Sequence, residues 1–330
     1  FRRVLFRSEN IQSWLNGNYA EEDKAVIRQL ERENPHELED AFYKDLEFGT
    51  GGLRGIMGVG TNRMNKYTVA IATQGLCNYV KKIANGTEFP KAAIAYDSRN
   101  NSRFFAEVTA DVLTANGIET FLFDDIRPTP ELSFAVRHLQ CTCGIVVTAS
   151  HNPKEYNGYK VYWNDGAQLV PPHDKNVIAE NRQIKSFDEV KMGGDKSLLH
   201  IIGKEIDDIY IQQLKTLSLH PECISQQKDL SIVYSPLHGT GRVLVPMCLR
   251  AFGFENVTSV PEQAIADGNF PTVVSPNPEN AEALSMAIKL AEDTHADLVL
   301  ATDPDSDRVG IAVRNPQNEF ILLNGNETAS

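Results

Sequence analysis

Four short segments hold residue types that could do chemistry. The first is Thr148-Ala149-Ser150-His151-Asn152-Pro153, directly after the apolar run Ile145-Val146-Val147. Asn-Pro disfavours helix at residue 152 and favours a turn. A serine held in a tight turn at the C-terminal end of a strand lies on the sheet edge where α/β proteins bind ligands. Its hydroxyl is a weak nucleophile and needs a base or a metal beside it. His151 is adjacent in the chain, although neighbours in a turn need not face each other. The segment is not a G-x-S-x-G nucleophile elbow, and an ordinary polar turn has the same composition.

The second segment is Asp303-Pro304-Asp305-Ser306-Asp307-Arg308, after the strand-like Asp297-Leu298-Val299-Leu300-Ala301. Alternate residues of an extended segment point the same way, so three carboxylates can converge. Converging carboxylates raise one another's pKa unless a cation sits among them. Hard oxygen ligands on a short strand-end loop suit Mg²⁺. The glycine and distal glutamate of an EF-hand are missing at the required offsets. A solvated acidic turn is the plainer alternative.

The third segment, Thr50-Gly51-Gly52-Leu53-Arg54-Gly55, could bring backbone N–H groups close to an anion, or could be a simple turn. Arg54, Lys154, Lys160 and Arg308 are the local cations that could overcome an acidic chain. The fourth, Ser235-Pro236-Leu237-His238-Gly239-Thr240-Gly241, precedes an expected helix. It fits an anion site at a helix N-terminus or a loop that only packs.

These segments need elements to position them. Residues 9–47 show helical periodicity broken at Pro35, and a helix is expected at 66–84. Strands at 91–96, 118–123 and 144–148 alternate with helices at 101–116 and 129–139. A polar stretch at 184–203 reads as a linker. Strands at 230–234, 256–260, 297–301, 308–314 and 319–323 follow, with helices at 204–217, 241–252 and 279–293. This alternation predicts α/β structure: tandem α/β domains with mixed, largely parallel sheets.

The chain of 330 residues suits about two domains. Its net charge of −12 argues against nucleic acid or anionic lipid as a general partner. No apolar stretch approaches the ~18 residues of a membrane span. Cys77, Cys141, Cys143, Cys223 and Cys248 form no CxxC pair, so free thiols in a reducing cytoplasm are expected. The opening Phe1-Arg2-Arg3-Val4-Leu5-Phe6-Arg7-Ser8 matches neither a signal peptide nor the acidic helix after it, and reads as non-native sequence. The chain as a whole reads as a fragment.

The motifs FGTGGLRG at 48–55, TASHNPKEYNGYK at 148–160 and DPDSDR at 303–308, with YDSRNNS at 96–102 and HGTG at 238–241, occur in a shared order. On these the chain resembles the α-D-phosphohexomutase superfamily, in its phosphoglucomutase and phosphopentomutase branch. The resemblance runs from about residue 10 to the end. It implies the first half of a four-domain architecture: a phosphoserine domain at 9–200, a metal-loop domain at 201–320, and the start of a third domain at 321–330. It implies that Ser150 carries a phosphoryl group, and that Asp303, Asp305 and Asp307 hold Mg²⁺ with a phosphoserine oxygen. Arg54, Arg308 and Asp307 would serve substrate and phosphate. Lys160 would shuttle a proton and His151 orient groups near Ser150.

The implied activity is a phosphosugar mutase, for example between glucose 1-phosphate and glucose 6-phosphate. Glucose 1,6-bisphosphate would be the intermediate and activator, and small sugar phosphates the partners. Phosphomannomutase, phosphopentomutase and sugar-bisphosphate synthase remain open. So does a divalent-ion or phosphosugar-binding fragment without turnover. A phosphatase with a D-x-D-x-T nucleophile fits poorly, because Asp307 takes the threonine slot. Three carboxylates and a phosphoserine of about −2 outweigh one divalent cation by roughly 3 charges. Arg54, Lys160 and Arg308 are therefore expected to close on the site, and a lysine among cations is expected to have a lowered pKa.

Overall fold

The computed structural model describes residues 2–49, 51–84 and 89–329, and the side chains of residues 9–49, 51–84 and 89–328 within them. Phe1 and Thr50, named above, lie outside the described residues, as do the side chains of residues 2–8. Three helices open the chain: α1 (Arg2–Asn16), α2 (Glu21–Glu33) and α3 (Pro35–Phe42). Glu21, Glu22 and Asp23 start α2 and Arg32 lies in its last turn, which complements the helix dipole. Pro35 starts α3, and the Asn34 side chain accepts the Glu37 N–H, so the expected break is also a cap. Ile11, Trp14, Ile27, Leu38 and Phe42 bury a small core between these helices and Tyr67.

The first α/β unit contains β1 (Gly52–Ile56), α4 (Lys66–Ala84), β2 (Lys91–Tyr96), α5 (Ser102–Ala115), β3 (Glu119–Phe123), α6 (Thr129–His138), β4 (Cys143–Val147), β5 (Tyr156–Trp163), α7 (His173–Asn181) and β6 (Leu199–Ile202). Its strand order is β1-β5-β4-β2-β3-β6. The pairs β2–β3, β2–β4 and β3–β6 are parallel, and β4–β5 and β1–β5 are antiparallel. Strands β2 and β4 are apolar on both faces because helices cover both. Ile94, Leu113, Ile145 and Val147 pack on the α4–α5 side. Ala93, Ala95, Leu132, Val136 and Val146 pack on the α6 side. Each fully buried aliphatic side chain contributes about 1.5–3 kcal/mol.

The second unit contains α8 (Lys204–Lys215), α9 (Pro221–Gln226), β7 (Ile232–Ser235), α10 (Gly241–Phe252), β8 (Val257–Ser259), α11 (Ala281–Asp293), β9 (Leu298–Thr302), β10 (Val309–Arg314), β11 (Phe320–Leu322) and α12 (Gly325–Ala329). Its strand order is β11-β10-β9-β7-β8, parallel at β7–β8 and β7–β9 and antiparallel at β9–β10 and β10–β11. The small residues Ala283, Ala287 and Ala291 let α11 approach Val233, Val299 and Ala301 closely. Both sheets are mixed, as expected for the fold class.

Three local expectations change. The Gly-rich segment is an edge strand and not an open anion cradle. A Cβ on Gly52, whose φ is +139°, would lie 1.8 Å from the Tyr159 carbonyl oxygen. Glycine there serves close strand approach. Residues 156–163 form β5, which the helix-strand alternation did not reveal. The expected linker at 184–203 contains short 3₁₀ turns and ends in β6, which pairs with β3.

Candidate active site

Two loops meet where the units touch. Residues 148–155 leave β4 and return as β5, and residues 303–308 leave β9 and return as β10. In each, a parallel strand hands over to an antiparallel neighbour. Each loop also contains a serine in the left-handed region: Ser150 has φ +52° and Ser306 has φ +55°. A non-glycine residue there stores about 1–3 kcal/mol of strain and points to a functional constraint.

The serine loop is braced from below by a buried pair that the motifs did not single out. Asp97 accepts from Thr148 Oγ1 at 2.7 Å, from Ser102 Oγ at 2.6 Å and from the Arg99 N–H at 2.9 Å. Its carboxylate lies 3.3 Å from Arg99 Nε, and both side chains are fully buried. The Arg99 guanidinium donates to the carbonyls of Ser150, Asn152, Pro153 and Tyr156. The Ser150 N–H donates to Thr148 Oγ1 at 2.9 Å. The YDSRNNS segment carried this signal, since Asp97 and Arg99 lie within it at a strand end.

Ser150 is 3% exposed, and its hydroxyl donates to Asp303 Oδ2 at 2.6 Å. His151 Nδ1 lies 3.2 Å from Ser150 Oγ. Burial holds the His151 pKa below the ordinary histidine value, helped by Arg308 and Arg54. The carboxylates of Asp303, Asp305 and Asp307 each place an oxygen within 4.8 Å of the others. Burial, with the Asp305 carboxylate adding to it, raises Asp303 to about 8. Burial also works to raise Asp305, but Lys160 outweighs it and holds the carboxyl below the usual range.

Lys160 Nζ donates to Asp305 Oδ2 at 2.7 Å and to Asp307 Oδ2 at 3.1 Å. The sequence placed this lysine among cations and predicted a lowered pKa. That expectation is corrected. Burial does lower it, but the Asp305 and Asp307 carboxylates outweigh burial and hold the ammonium above the ordinary lysine value. Opposite charge at hydrogen-bond distance favours the charged form.

Arg54 is exposed on β1, opposite Gly158 of β5, two residues from Lys160. Arg308 is exposed next to the loop, and its N–H donates to Asp303 Oδ1 at 3.2 Å. Lys154 is exposed. The HGTG segment braces the acidic loop. The Thr240 N–H donates to the Pro304 carbonyl at 2.9 Å, and Thr240 Oγ1 lies 3.1 Å from Ser306 Oγ. His238 is buried between the Ile265 carbonyl and Thr272 Oγ1, each at 2.8 Å.

The donor set fits a hard divalent cation. Asp305 Oδ1 is buried and has no hydrogen-bond partner. A carboxylate oxygen left bare inside a protein is costly unless a cation occupies it. Asp305 Oδ2 is occupied by Lys160 and by Thr129 Oγ1, the latter at 2.9 Å. Thr129 lies 176 residues away in the chain, and no sequence motif drew attention to it.

Comparison with known proteins adds independent observations. Residues 45–188 match the family described as phosphoglucomutase/phosphomannomutase, alpha/beta/alpha domain I, and residues 208–317 match domain II of that family. The chain is 38% identical over 316 residues to human phosphopentomutase, covering 92% of this chain and 51% of the relative. It is 39% identical over 293 residues to phosphoglucomutase of Staphylococcus haemolyticus, covering 88% and 52%. The chain thus spans about half the length of the curated relatives it matches. A phosphoglucomutase/phosphomannomutase family protein of Burkholderia thailandensis superposes with a TM-score of 0.63 at 22% identity, covering 83% of this chain and 55% of that one. The open form of parafusin from Paramecium gives 0.64 at 18%, covering 84% and 54%. These two likenesses concern the fold.

Proposed function

Because this chain belongs to the phosphoglucomutase/phosphomannomutase family, we propose that it carries the phosphoserine and metal loops of a phosphosugar mutase. The observation that supports this most is the meeting of Ser150 Oγ with Asp303 Oδ2 at 2.6 Å, beside two further converging carboxylates. We take the reaction to interconvert glucose 1-phosphate and glucose 6-phosphate. A pentose phosphate is the second reading, favoured by the human relative named phosphopentomutase. Among the described residues no helix is long and apolar enough to cross a membrane. The buried free thiols of Cys77, Cys141 and Cys143 suit a cytoplasmic setting.

The proposed reaction has two transfers. In the first, a sugar hydroxyl oxygen attacks the phosphorus of phospho-Ser150. The new P–O bond forms as the bond to Ser150 Oγ breaks; the sugar hydroxyl gives its proton to a base, and the released Ser150 Oγ takes one up to become the serine hydroxyl. The second transfer reverses these roles at the other phosphate of the bisphosphorylated sugar, which restores phospho-Ser150. His151, 3.2 Å from Oγ, and Lys160, on the Asp305 carboxylate, are the proposed proton carriers. Asp303, Asp305 and Asp307 would hold Mg²⁺ together with a phosphoserine oxygen. When bound, the cation supplies charge neutralisation at the transferring phosphoryl oxygens. Arg54 and Arg308, exposed at the rim, are placed to meet the anionic sugar phosphate.

Mass spectrometry of the chain after incubation with Mg²⁺ and glucose 1,6-bisphosphate tests this. One phosphate on Ser150, absent in Ser150→Ala, is the expected result. Phosphate elsewhere, or none on a full-length homologue treated alike, would sink the reading. Turnover of glucose 1-phosphate against a pentose 1-phosphate decides between the two sugars.

A further inference from the structure

Asp305 is held in an uneven way. Both of its donors, Lys160 Nζ at 2.7 Å and Thr129 Oγ1 at 2.9 Å, fall on Oδ2. Oδ1 is buried and bare. A carboxylate rotates about its terminal bond, so its bare oxygen faces a defined direction only if the other is pinned. Two donors from different directions pin it better than one.

Thr129 is built for this. It is the first residue of α6 and is 4% exposed. Pro128 precedes it and Pro130 follows, so the chain direction is restricted on both sides. Its own N–H donates to the Asp305 carbonyl oxygen at 2.9 Å, in addition to the hydroxyl bond. One residue of the first unit thus grips both the backbone and the side chain of the central aspartate of the second.

We infer that Thr129 is a positioning residue for the metal, which turns Asp305 so that Oδ1 faces the cation and keeps the acidic loop seated on the first unit. This rests on the proposal that Asp303, Asp305 and Asp307 bind a divalent ion. Groups that orient a ligand typically change metal affinity 10–100-fold when removed.

The test uses the 330-residue chain and Mn²⁺ as the probe, with free ion counted by electron paramagnetic resonance. Thr129→Val keeps the β-branched shape and the backbone N–H but loses the hydroxyl donor. It should weaken Mn²⁺ binding about tenfold or more. Thr129→Ser keeps the donor and should stay within about threefold of wild type. Thr129→Ala, which cannot clash, serves in place of the valine variant if that one does not fold. A metal-free melting curve is recorded for each, since a purely structural threonine would lower the melting temperature and leave Mn²⁺ affinity unchanged. Wild-type affinity in the valine or alanine variant overturns the inference. So does a serine variant as weak as the valine one. Asp305→Asn separates the two levels: if it binds Mn²⁺ like wild type, or if wild type does not bind at all, the metal reading fails and takes this inference with it.

Discussion

The loop carrying Ser150 and the loop carrying the three aspartates have the same plan but opposite means of support. Both connect a parallel strand to an antiparallel one, and both contain a strained serine. The serine loop is held from within its own unit by Asp97 and Arg99, whose guanidinium collects four carbonyls beneath the turn. Within its own unit the acidic loop has the Thr240–Pro304 contact, but its central carboxylate takes its hydrogen-bond donors from Lys160 and Thr129 of the other unit. The serine loop is braced mainly from within its own domain, with Ser275 Oγ of the other unit adding a donor to the His151 carbonyl at 3.2 Å. The acidic loop is completed by domain docking and retains a bare oxygen at Asp305. The site is thus braced mainly from within one unit on the group-carrying side and across the two units on the cation side.

This contrast can be broken in several ways. The largest effect is expected at the brace of the serine loop. Arg99→Met leaves Asp97 charged and buried without its partner, which costs about 3–5 kcal/mol. Urea denaturation should show that loss, and Mg²⁺ should not restore it. Lys160→Met acts on the acidic loop instead. It removes charge-assisted hydrogen bonds worth about 1.5–3 kcal/mol, and Mg²⁺ should stabilise it by more than it stabilises wild type, because the cation then supplies the charge that Lys160 gave to Asp305 and Asp307. If Mg²⁺ rescues both variants equally, the contrast between the loops fails.

A pH-dependent effect concerns α6, whose first residue grips Asp305. Glu131, two residues further along, is buried with no hydrogen bond to either oxygen, and Arg127 Nε is 3.9 Å away. Burial raises its pKa from 4.5 to about 9, with the Asp207 carboxylate adding to the shift and Arg127 opposing it. The folded chain therefore keeps a proton that the unfolded chain has lost. Stability falls as pH rises between those two values, by at most about 1.4 kcal/mol per pH unit. Glu131→Gln, neutral at every pH, should flatten that slope in thermal melts from pH 5 to pH 9. An unchanged slope would assign the dependence to other groups.

Much of the fold was legible because it is a local matter. Apolar runs such as Ile145-Val146-Val147 and the Asn116-Gly117 stop mark elements by composition. Helix α10 falls at Gly241–Phe252, where periodicity put it. Strand β1 was hidden because glycine does not signal a strand, and here it answers to the Tyr159 backbone of β5. Strand β6 lies in a short apolar run, Leu198-Leu199-His200-Ile201-Ile202, but that run ends a stretch of mostly polar residues and glycines that reads as a linker, and only its parallel pairing with β3 shows that it joins the first sheet.

By itself, the sequence determined the residue types: a serine at a strand end, three alternating aspartates at another, cations between, and an α/β frame to hold them. Those follow from composition and from periods of a few residues. Tertiary structure decided how the groups are paired. Lys160 reaches Asp305 across 145 residues and Thr129 reaches it across 176, and both come from the other unit. No local pattern encodes which oxygen of Asp305 is taken and which is left bare. For the same reason the charge around Lys160 was misjudged. A pKa depends on the neighbours in space, and those neighbours exist only once the two units have docked.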